Sequence, residues 1–288
     1  MLRCAVPENP PMIRQHHAIL HLLQDDDPAT VGMVKAQLAS GGAPALRELN
    51  ALLALATSPK AAAHVRDIIA EIEETQADAI FTEVCASFDD ASNLEEACWR
   101  LAATFTPAQD FSEARALLDA WGSEVGRRLA KAESTLDRVE TLAEFLSFEA
   151  RLSGNDRNYY NIENSLLPSV IESRLGIPIT LSLIYIFVAN RAGLTLEGVA
   201  LPGHFLVRHG DIFLDPYHGG RRVGLLDCRE LLARHNLSLV PEHLATATPK
   251  QMLARLLANI LHIANQSDPP LAAKISGWLD ALRAPTRP

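Results

Sequence analysis

The chain has 288 residues, of which 48% are apolar, and its formal net charge is −9. This length allows about two domains, and the apolar fraction supplies a large core and argues against a disordered chain. The negative charge and the lack of any Lys/Arg block or basic recognition helix argue against nucleic-acid binding, and so against a transcription factor.

Three features of the sequence predict a cytoplasmic protein without membrane contacts. The first residues, MLRCAVPENPPM, lack the apolar segment of a signal peptide. The longest apolar run, residues 179–189, is shorter than the roughly 20 residues of a membrane span. The cysteines are scattered, which is typical of a reducing compartment: Cys4, Cys85, Cys98 and Cys228. Because no Cys/His cluster at short spacing exists, we expect no metal and no cofactor.

The first third of the chain predicts a series of short amphipathic helices. Asp27-Pro28 and Ser58-Pro59 supply helix starts, and Gly41-Gly42 supplies a stop. Stacked helices of this kind resemble irregular HEAT-like packing. The period is loose, however, and favours a simple helical bundle. We therefore predict an all-helical N-terminal region over residues 1–105.

The middle of the chain predicts a core over residues 106–245 that mixes helices with a small sheet. After helices at 111–133, 136–152 and 166–175, the chain is expected to form a helix from Pro178 to Arg191, ended by Gly193. A strand at 196–201 and a hairpin of His204–His209 with Ile212–Asp215 follow. Residues 246–288 predict a helical tail with a frayed end. The predicted fold class is α+β.

The hairpin places two chemically active side chains together. A two-residue turn at Gly210-Asp211 pairs His209 with Ile212, and therefore Leu206 with Asp215. Because alternate residues share a face, His204 becomes a diagonal neighbour of Asp215 on the adjacent strand, with about 7 Å between the two backbones. A carboxylate at that distance can orient an imidazole, as in a catalytic triad. Taken singly, the histidine is more often a core residue and the aspartate a turn residue.

The start of the helix at Pro178 is the second candidate feature. Backbone N–H groups near Gly176 and Thr180 lack helical partners, and the helix dipole is positive there, so a thiolate or another anion would be stabilised. Gly203 leaves room beside the histidine. Asn164 and Tyr160 either line the same cleft or lock its loops through hydrogen bonds.

At these residues the chain resembles a known family. The segments NYY, GIPITLSLIY, LPGHFLVR and FLDPYHGG occur in this order in bacterial SirB-type transglutaminase-like proteins and in some eukaryotic F-box proteins. The resemblance covers residues 158–220. It implies a papain-like core with a central helix packed on an antiparallel sheet. It also matches His204 and Asp215 to the catalytic His and Asp, and Pro178 to the catalytic Cys.

Because proline has no nucleophilic side-chain atom, the resemblance implies a pseudoenzyme. Other residues could in principle replace the thiol, but each has a commoner structural role: Thr180, Ser182, Ser165 and Cys228. We expect a non-catalytic module that binds a peptide or protein partner. The alternatives are a hydrolase or acyl transferase on amides, using His204 and Asp215 with a hydroxyl or water nucleophile, and a purely structural scaffold. The sequence leaves the oligomeric state open.

Overall fold

The computed structural model describes residues 12–284. The expectation of no signal peptide concerns residues 1–12, and the expectation of a frayed C-terminus concerns residues 284–288. Both segments lie outside the described residues except for Met12 and Ala284. Within residues 12–284, none of the helices combines the length and the apolar composition that a membrane span requires.

Twelve α-helices and seven short strands make up the regular structure of the described residues. The helices are α1 (Met12–Leu22), α2 (Pro28–Ala39), α3 (Leu46–Leu55), α4 (Pro59–Ser87), α5 (Leu94–Ala103), α6 (Ser112–Leu129), α7 (Thr135–Glu144), α8 (Leu167–Ser173), α9 (Pro178–Arg191), α10 (Leu225–Ala233), α11 (Pro249–Ser267) and α12 (Pro269–Arg283). The strands are β1 (Ser153–Gly154), β2 (Leu175–Gly176), β3 (Glu197–Val199), β4 (Leu206–His209), β5 (Ile212–Asp215), β6 (Arg221–Val223) and β7 (Thr246–Ala247).

One compact unit comprises residues 12–80 and 104–108. Helices α2 and α4 begin where the sequence predicts, and the Asp27 side chain caps α2 by accepting from the N–H groups of Ala29 and Thr30. Helix α4, with 29 residues, is longer than the short helices predicted. Apolar residues at helical spacing form its core, which includes Leu23, Leu52 and Ile68.

The second compact unit comprises residues 81–103 and 109–284 and contains all the strands. Five of them form an antiparallel sheet in the order β6-β5-β4-β3-β7. The predicted α+β class is thereby confirmed. The sequence-based limits at residues 105 and 245 stay a prediction, and packing places residues 246–284 in the same unit as the sheet.

Helix α9 is the centre of this second unit. Its residues from Pro178 to Ala189 are all buried. It packs on β3 and β4 and against α6 and α11. A helix that is apolar on every side belongs in such a position, because no face of it is suited to water. Both predicted ends are confirmed: Pro178 is in its first turn, and Gly193 follows with a φ of +71°.

The C-terminal end of α9 is fixed by charge as well as by packing. The Arg191 guanidinium donates to both carboxylate oxygens of Glu95, at 2.7 and 2.8 Å, and to Asp119 at 2.7 Å. Arg191 also donates to the carbonyl of Phe187. This arrangement joins α5 and α6 to the negative end of the α9 dipole.

Short elements around the core differ from the sequence prediction. The helix expected over 166–175 is only Leu167–Ser173, because Arg174 adopts a left-handed φ of 67° and ends it. Gly176 therefore lies in β2, which pairs in parallel with β1. Strands β6 and β7 were not predicted. With three and two residues, they are too short to show an alternating pattern.

The sheet also has a buried face against α10. Val199, Leu206 and Val223 form a cluster there with Leu231 and Leu232 of that helix. This packing sets α10 beside the start of β4, where the candidate site lies.

Helix α6 has glycine residues where it packs against the C-terminal end of α9. A Cβ atom at Gly122 would overlap the side chain of Arg191, whereas one at Gly126 would be 3.5 Å from the Ala192 Cα atom, an ordinary contact. We expect Gly122→Ala to lower the free energy of unfolding by about 1–3 kcal/mol through overpacking. Gly126→Ala, the matched control, should be neutral or stabilise by up to about 1 kcal/mol, because alanine favours helix. Urea unfolding measures both, and equal effects would contradict the described packing.

Candidate functional site

The hairpin of β4 and β5 brings His204 into contact with Asp215. Its register pairs His209 with Ile212, as the two-residue turn predicts. His204 Nε2 lies 2.9 Å from Asp215 Oδ1. The predicted contact is thus confirmed, but His204 precedes β4 by two residues and is not on the strand. A turn replaces the strand there, closed by the His204 N–H donating to the Leu201 carbonyl at 3.0 Å.

Asp215 has a second imidazole partner that the sequence analysis missed. His218 Nδ1 lies 2.6 Å from Asp215 Oδ2, and the His218 N–H donates to Oδ1 at 3.3 Å. Both contacts arise because Pro216–His218 is a 3₁₀ turn that begins at Asp215. The spacing Asp-Pro-x-His, in which Asp215 caps its own turn, is the signal that could have revealed His218.

The hydrogen bonds assign the protons of this cluster. An ionised carboxylate only accepts, so Nε2 of His204 and Nδ1 of His218 donate to Asp215. Within the described residues, His204 Nδ1 has no hydrogen-bond partner. The imidazole is therefore held as in a triad, with one nitrogen on the carboxylate and the other free to accept a proton.

Asp215 is fully buried yet stays an acid of low pKa. Burial by itself raises the pKa of this carboxyl, but the hydrogen bonds and charges of His204 and His218 outweigh burial and hold the pKa below its ordinary value.

This shift fixes the sign of a pH effect. A carboxyl whose pKa is lowered by folding stabilises the protein above its unfolded pKa, about 3.9, and loses that contribution as the pH falls through the folded value. We expect Asp215→Asn to cost about 1–3 kcal/mol at neutral pH in metal-free buffer. The gap between wild type and variant should shrink below about pH 4. Urea unfolding between neutral and acidic pH tests this, and a gap that widens in acid would refute it.

A cavity of about 460 Å³ opens in front of the two histidines. His204 and His218 line it together with Pro178 from the start of α9, and Gly203 and His235 line it from the other side. None of the described residues that line it is Cys, Ser or Thr. The site therefore has an oriented base and a helix N-terminus but no side-chain thiol or aliphatic hydroxyl.

Gly203 is required at this position for two reasons. Its φ of +77° lies in the left-handed region, and an added Cβ atom would overlap the imidazole of His235. The turn before His204 can thus approach His235, in the turn that follows α10, only because residue 203 has no side chain.

We therefore expect Gly203→Ala to destabilise the protein by more than the roughly 1 kcal/mol that a left-handed alanine costs alone. Gly210→Ala is the matched control, since its φ is +58° and nothing lies within 4 Å of the added methyl group. The double variant Gly203→Ala/His235→Ala should recover part of the loss. Thermal unfolding measures all three, and equal losses for Gly203→Ala and Gly210→Ala would contradict the close approach.

Of the other residues predicted for binding, only Tyr160 and Gly203 line the cavity. Asn164 is buried and locks a loop: its side chain accepts from Asn155 and donates to the carbonyls of Asn158 and Tyr159. Gly176 is buried in β2, and Thr180 is buried with an Oγ1 atom that has no hydrogen bond. The positions of Asn164, Gly176 and Thr180 therefore do not favour direct contact with a ligand in this cavity.

Tyrosines form one wall of the cavity. The Tyr217 hydroxyl donates to Asp156 at 2.7 Å, and its ring meets those of His204 and His218 edge-on. Burial and then the neighbouring Asp156 raise the pKa of Tyr217. Tyr159 contacts Tyr217 and Tyr160, and Tyr160 is 61% exposed. An aromatic surface with an exposed rim therefore adjoins the histidines.

A buried central helix on an antiparallel sheet, with a His–Asp pair facing its start, defines a transglutaminase-like domain. A model of the transglutaminase-like superfamily matches residues 112–258. The UPF0162 protein PA3419 of Pseudomonas aeruginosa is 33% identical over 194 residues, which are 66% of this chain and 71% of that protein. The chain belongs to the transglutaminase-like superfamily.

Other relatives are similar over shorter segments. A UPF0162 protein of Xylella fastidiosa is 42% identical over 118 residues, and this segment spans 42% of its length. F-box only protein 21 of Mus musculus is 29% identical over 127 residues, only 20% of that protein. The chain thus matches less than half of the Xylella protein. No solved structure matches the chain.

Proposed function

We propose that this chain is a SirB-type, non-catalytic transglutaminase-like protein whose His204 cavity binds a peptide or protein segment. The observation that carries the proposal is the composition of the cavity: His204 and Pro178 line it, and its described lining residues include no Cys, Ser or Thr. We assign Pro178 to the position at which the superfamily has its thiol. A site that has a base and an orienting carboxylate but no nucleophilic side chain can hold a ligand, but it cannot form a covalent acyl intermediate.

The candidate replacements for the thiol are badly placed. Cys228 is buried, and burial raises the pKa of its thiol. Thr180 is buried, and Ser182 is fully buried with its hydroxyl 3.5 Å from the carbonyl of Phe205. None of the three lines the cavity. These positions support a binding role over acyl transfer by a side chain.

The lining suits a peptide. Tyr159, Tyr160 and Tyr217 offer aromatic surface, while Arg234 and His235 offer donors for carbonyl or carboxylate groups. Mixed apolar and directional polar groups are what small binding clefts use to fix a ligand. The buried free cysteines suit a reducing compartment, and we place the protein in the cytoplasm.

A second candidate function is amide hydrolysis by a water molecule. It is supported by His204 Nδ1, which accepts no hydrogen bond from any described residue, while Nε2 is bonded to Asp215. That is the state of a general base ready to accept a proton. In this alternative Asp215 orients His204 and no covalent intermediate forms.

Pro178→Cys tests the inherited geometry. In a Cys4→Ser background, whose described native thiols are all buried, the new thiol should have a pKa below the ordinary value of about 8.5, because a helix N-terminus and an imidazole stabilise the thiolate. The pH dependence of its alkylation rate, followed by mass spectrometry, gives the pKa. Adding His204→Ala should raise the pKa towards its ordinary value. An ordinary pKa that is unaffected by His204→Ala would show that the site does not face Pro178.

Peptide selection tests the binding role itself. Peptides selected on the wild-type protein from a displayed random library should bind His204→Ala at least tenfold more weakly, measured at a temperature at which circular dichroism shows that the variant is still folded. His209→Ala, on the same hairpin but outside the cavity lining, should bind as wild type. If the selected peptides are instead cleaved, and His204→Ala stops cleavage, the hydrolase is correct. If His204→Ala unfolds readily and no peptide is selected, the core is a scaffold.

A further inference from the structure

We propose that His204, Asp215 and His218 form a binding site for one divalent transition-metal ion of the Zn²⁺ or Co²⁺ class. One ligand atom from each residue lies within 4.8 Å of the other two. Two imidazole nitrogens and one carboxylate oxygen are the donors that such ions prefer, whereas Ca²⁺ and Mg²⁺ prefer oxygen alone. The inference does not depend on the proposed peptide-binding role.

The distances fit coordination with small adjustments. His204 Nε2 and Asp215 Oδ1 are 2.9 Å apart, and His218 Nδ1 and Asp215 Oδ2 are 2.6 Å apart. Bonds from zinc to nitrogen and oxygen are about 2.0–2.2 Å, so neighbouring ligand atoms in a tetrahedral complex lie about 3.3–3.6 Å apart. The hydrogen-bonded side chains therefore have to separate by roughly 0.4–1 Å to admit an ion.

The charge of Asp215 gives the second reason. Its carboxylate is fully buried, and within the described residues its side-chain partners are two imidazoles, with no Lys or Arg among them. The imidazoles supply hydrogen bonds to this carboxylate, but a neutral imidazole supplies no positive charge to pair with it. A divalent ion between the carboxylate and the imidazoles would supply that charge, and each neutral imidazole would then carry its proton on its other nitrogen, Nδ1 of His204 and Nε2 of His218.

The position of the cluster allows an ion to enter and to bind a further ligand. His218 is 42% exposed at its side chain, and both histidines line the cavity. Three protein ligands leave one coordination position open, as in zinc sites that act on a ligand. The spacing His204-x10-Asp215-x2-His218 gave no metal signal in the sequence, because only the hairpin and the 3₁₀ turn bring the three residues together.

Metal titration of the untagged full chain tests the proposal. After treatment with a chelator and its removal, addition of Co²⁺ should give a visible absorption band that saturates at one ion per chain, and Zn²⁺ should abolish it by competition. Zn²⁺ should also raise the melting temperature. His218→Ala should weaken Co²⁺ binding at least tenfold and remove the Zn²⁺ effect on melting.

His235→Ala is the matched control, because His235 lines the same cavity but lies outside the cluster. It should bind Co²⁺ as wild type does. The melting temperature of each variant in chelator establishes that it is folded. Wild-type protein that gives no saturable band would overturn the proposal. Binding that is unchanged in folded His218→Ala would overturn it equally, since the ion would then lie elsewhere.

Discussion

The arrangement of the site depends on the buried carboxylate of Asp215. A carboxylate without access to water is tolerated only when donors surround it, and here the donors are the rings of His204 and His218 and the His218 backbone N–H. These bonds fix the end of β5, the 3₁₀ turn after it and the turn before β4. The cavity is the space that these three segments leave in front of the two imidazoles.

Helix α9 provides the fixed wall that the hairpin faces. Because it is buried on every side and held at its C-terminal end by Arg191, its N-terminal residue Pro178 has little freedom to move. Proline suits the first turn of a helix, where its missing N–H costs nothing. In our proposal, the same residue stands at the position of the nucleophile that a transglutaminase-like site needs. The protein therefore retains the geometry that orients a catalytic base, although the function that we propose for it is binding.

The sequence predicts those parts of the fold and of the site that are determined by residues close together in the chain. Helix α9 follows from its apolar run, Pro178 and Gly193, and the contact of His204 with Asp215 follows from a two-residue turn. Each of these needs only neighbouring residues or a single register. The role of Gly203 could not be predicted, because it depends on the approach of His235 in the turn after α10, more than thirty residues along the chain. His218 was missed for another reason: it reaches Asp215 through a 3₁₀ turn, and neither strand nor helix periodicity describes such a turn.

The tautomer of His204 in the metal-free protein tests the central claim most directly. Long-range ¹H–¹⁵N spectra of protein labelled at histidine, recorded in chelator at a pH where the imidazoles are neutral, distinguish a protonated from an unprotonated ring nitrogen. The structure predicts a proton on Nε2 of His204, donated to Asp215, and an unprotonated Nδ1. Asp215→Asn should disturb that assignment. A wild-type His204 protonated on Nδ1 would contradict the orientation on which the described site rests.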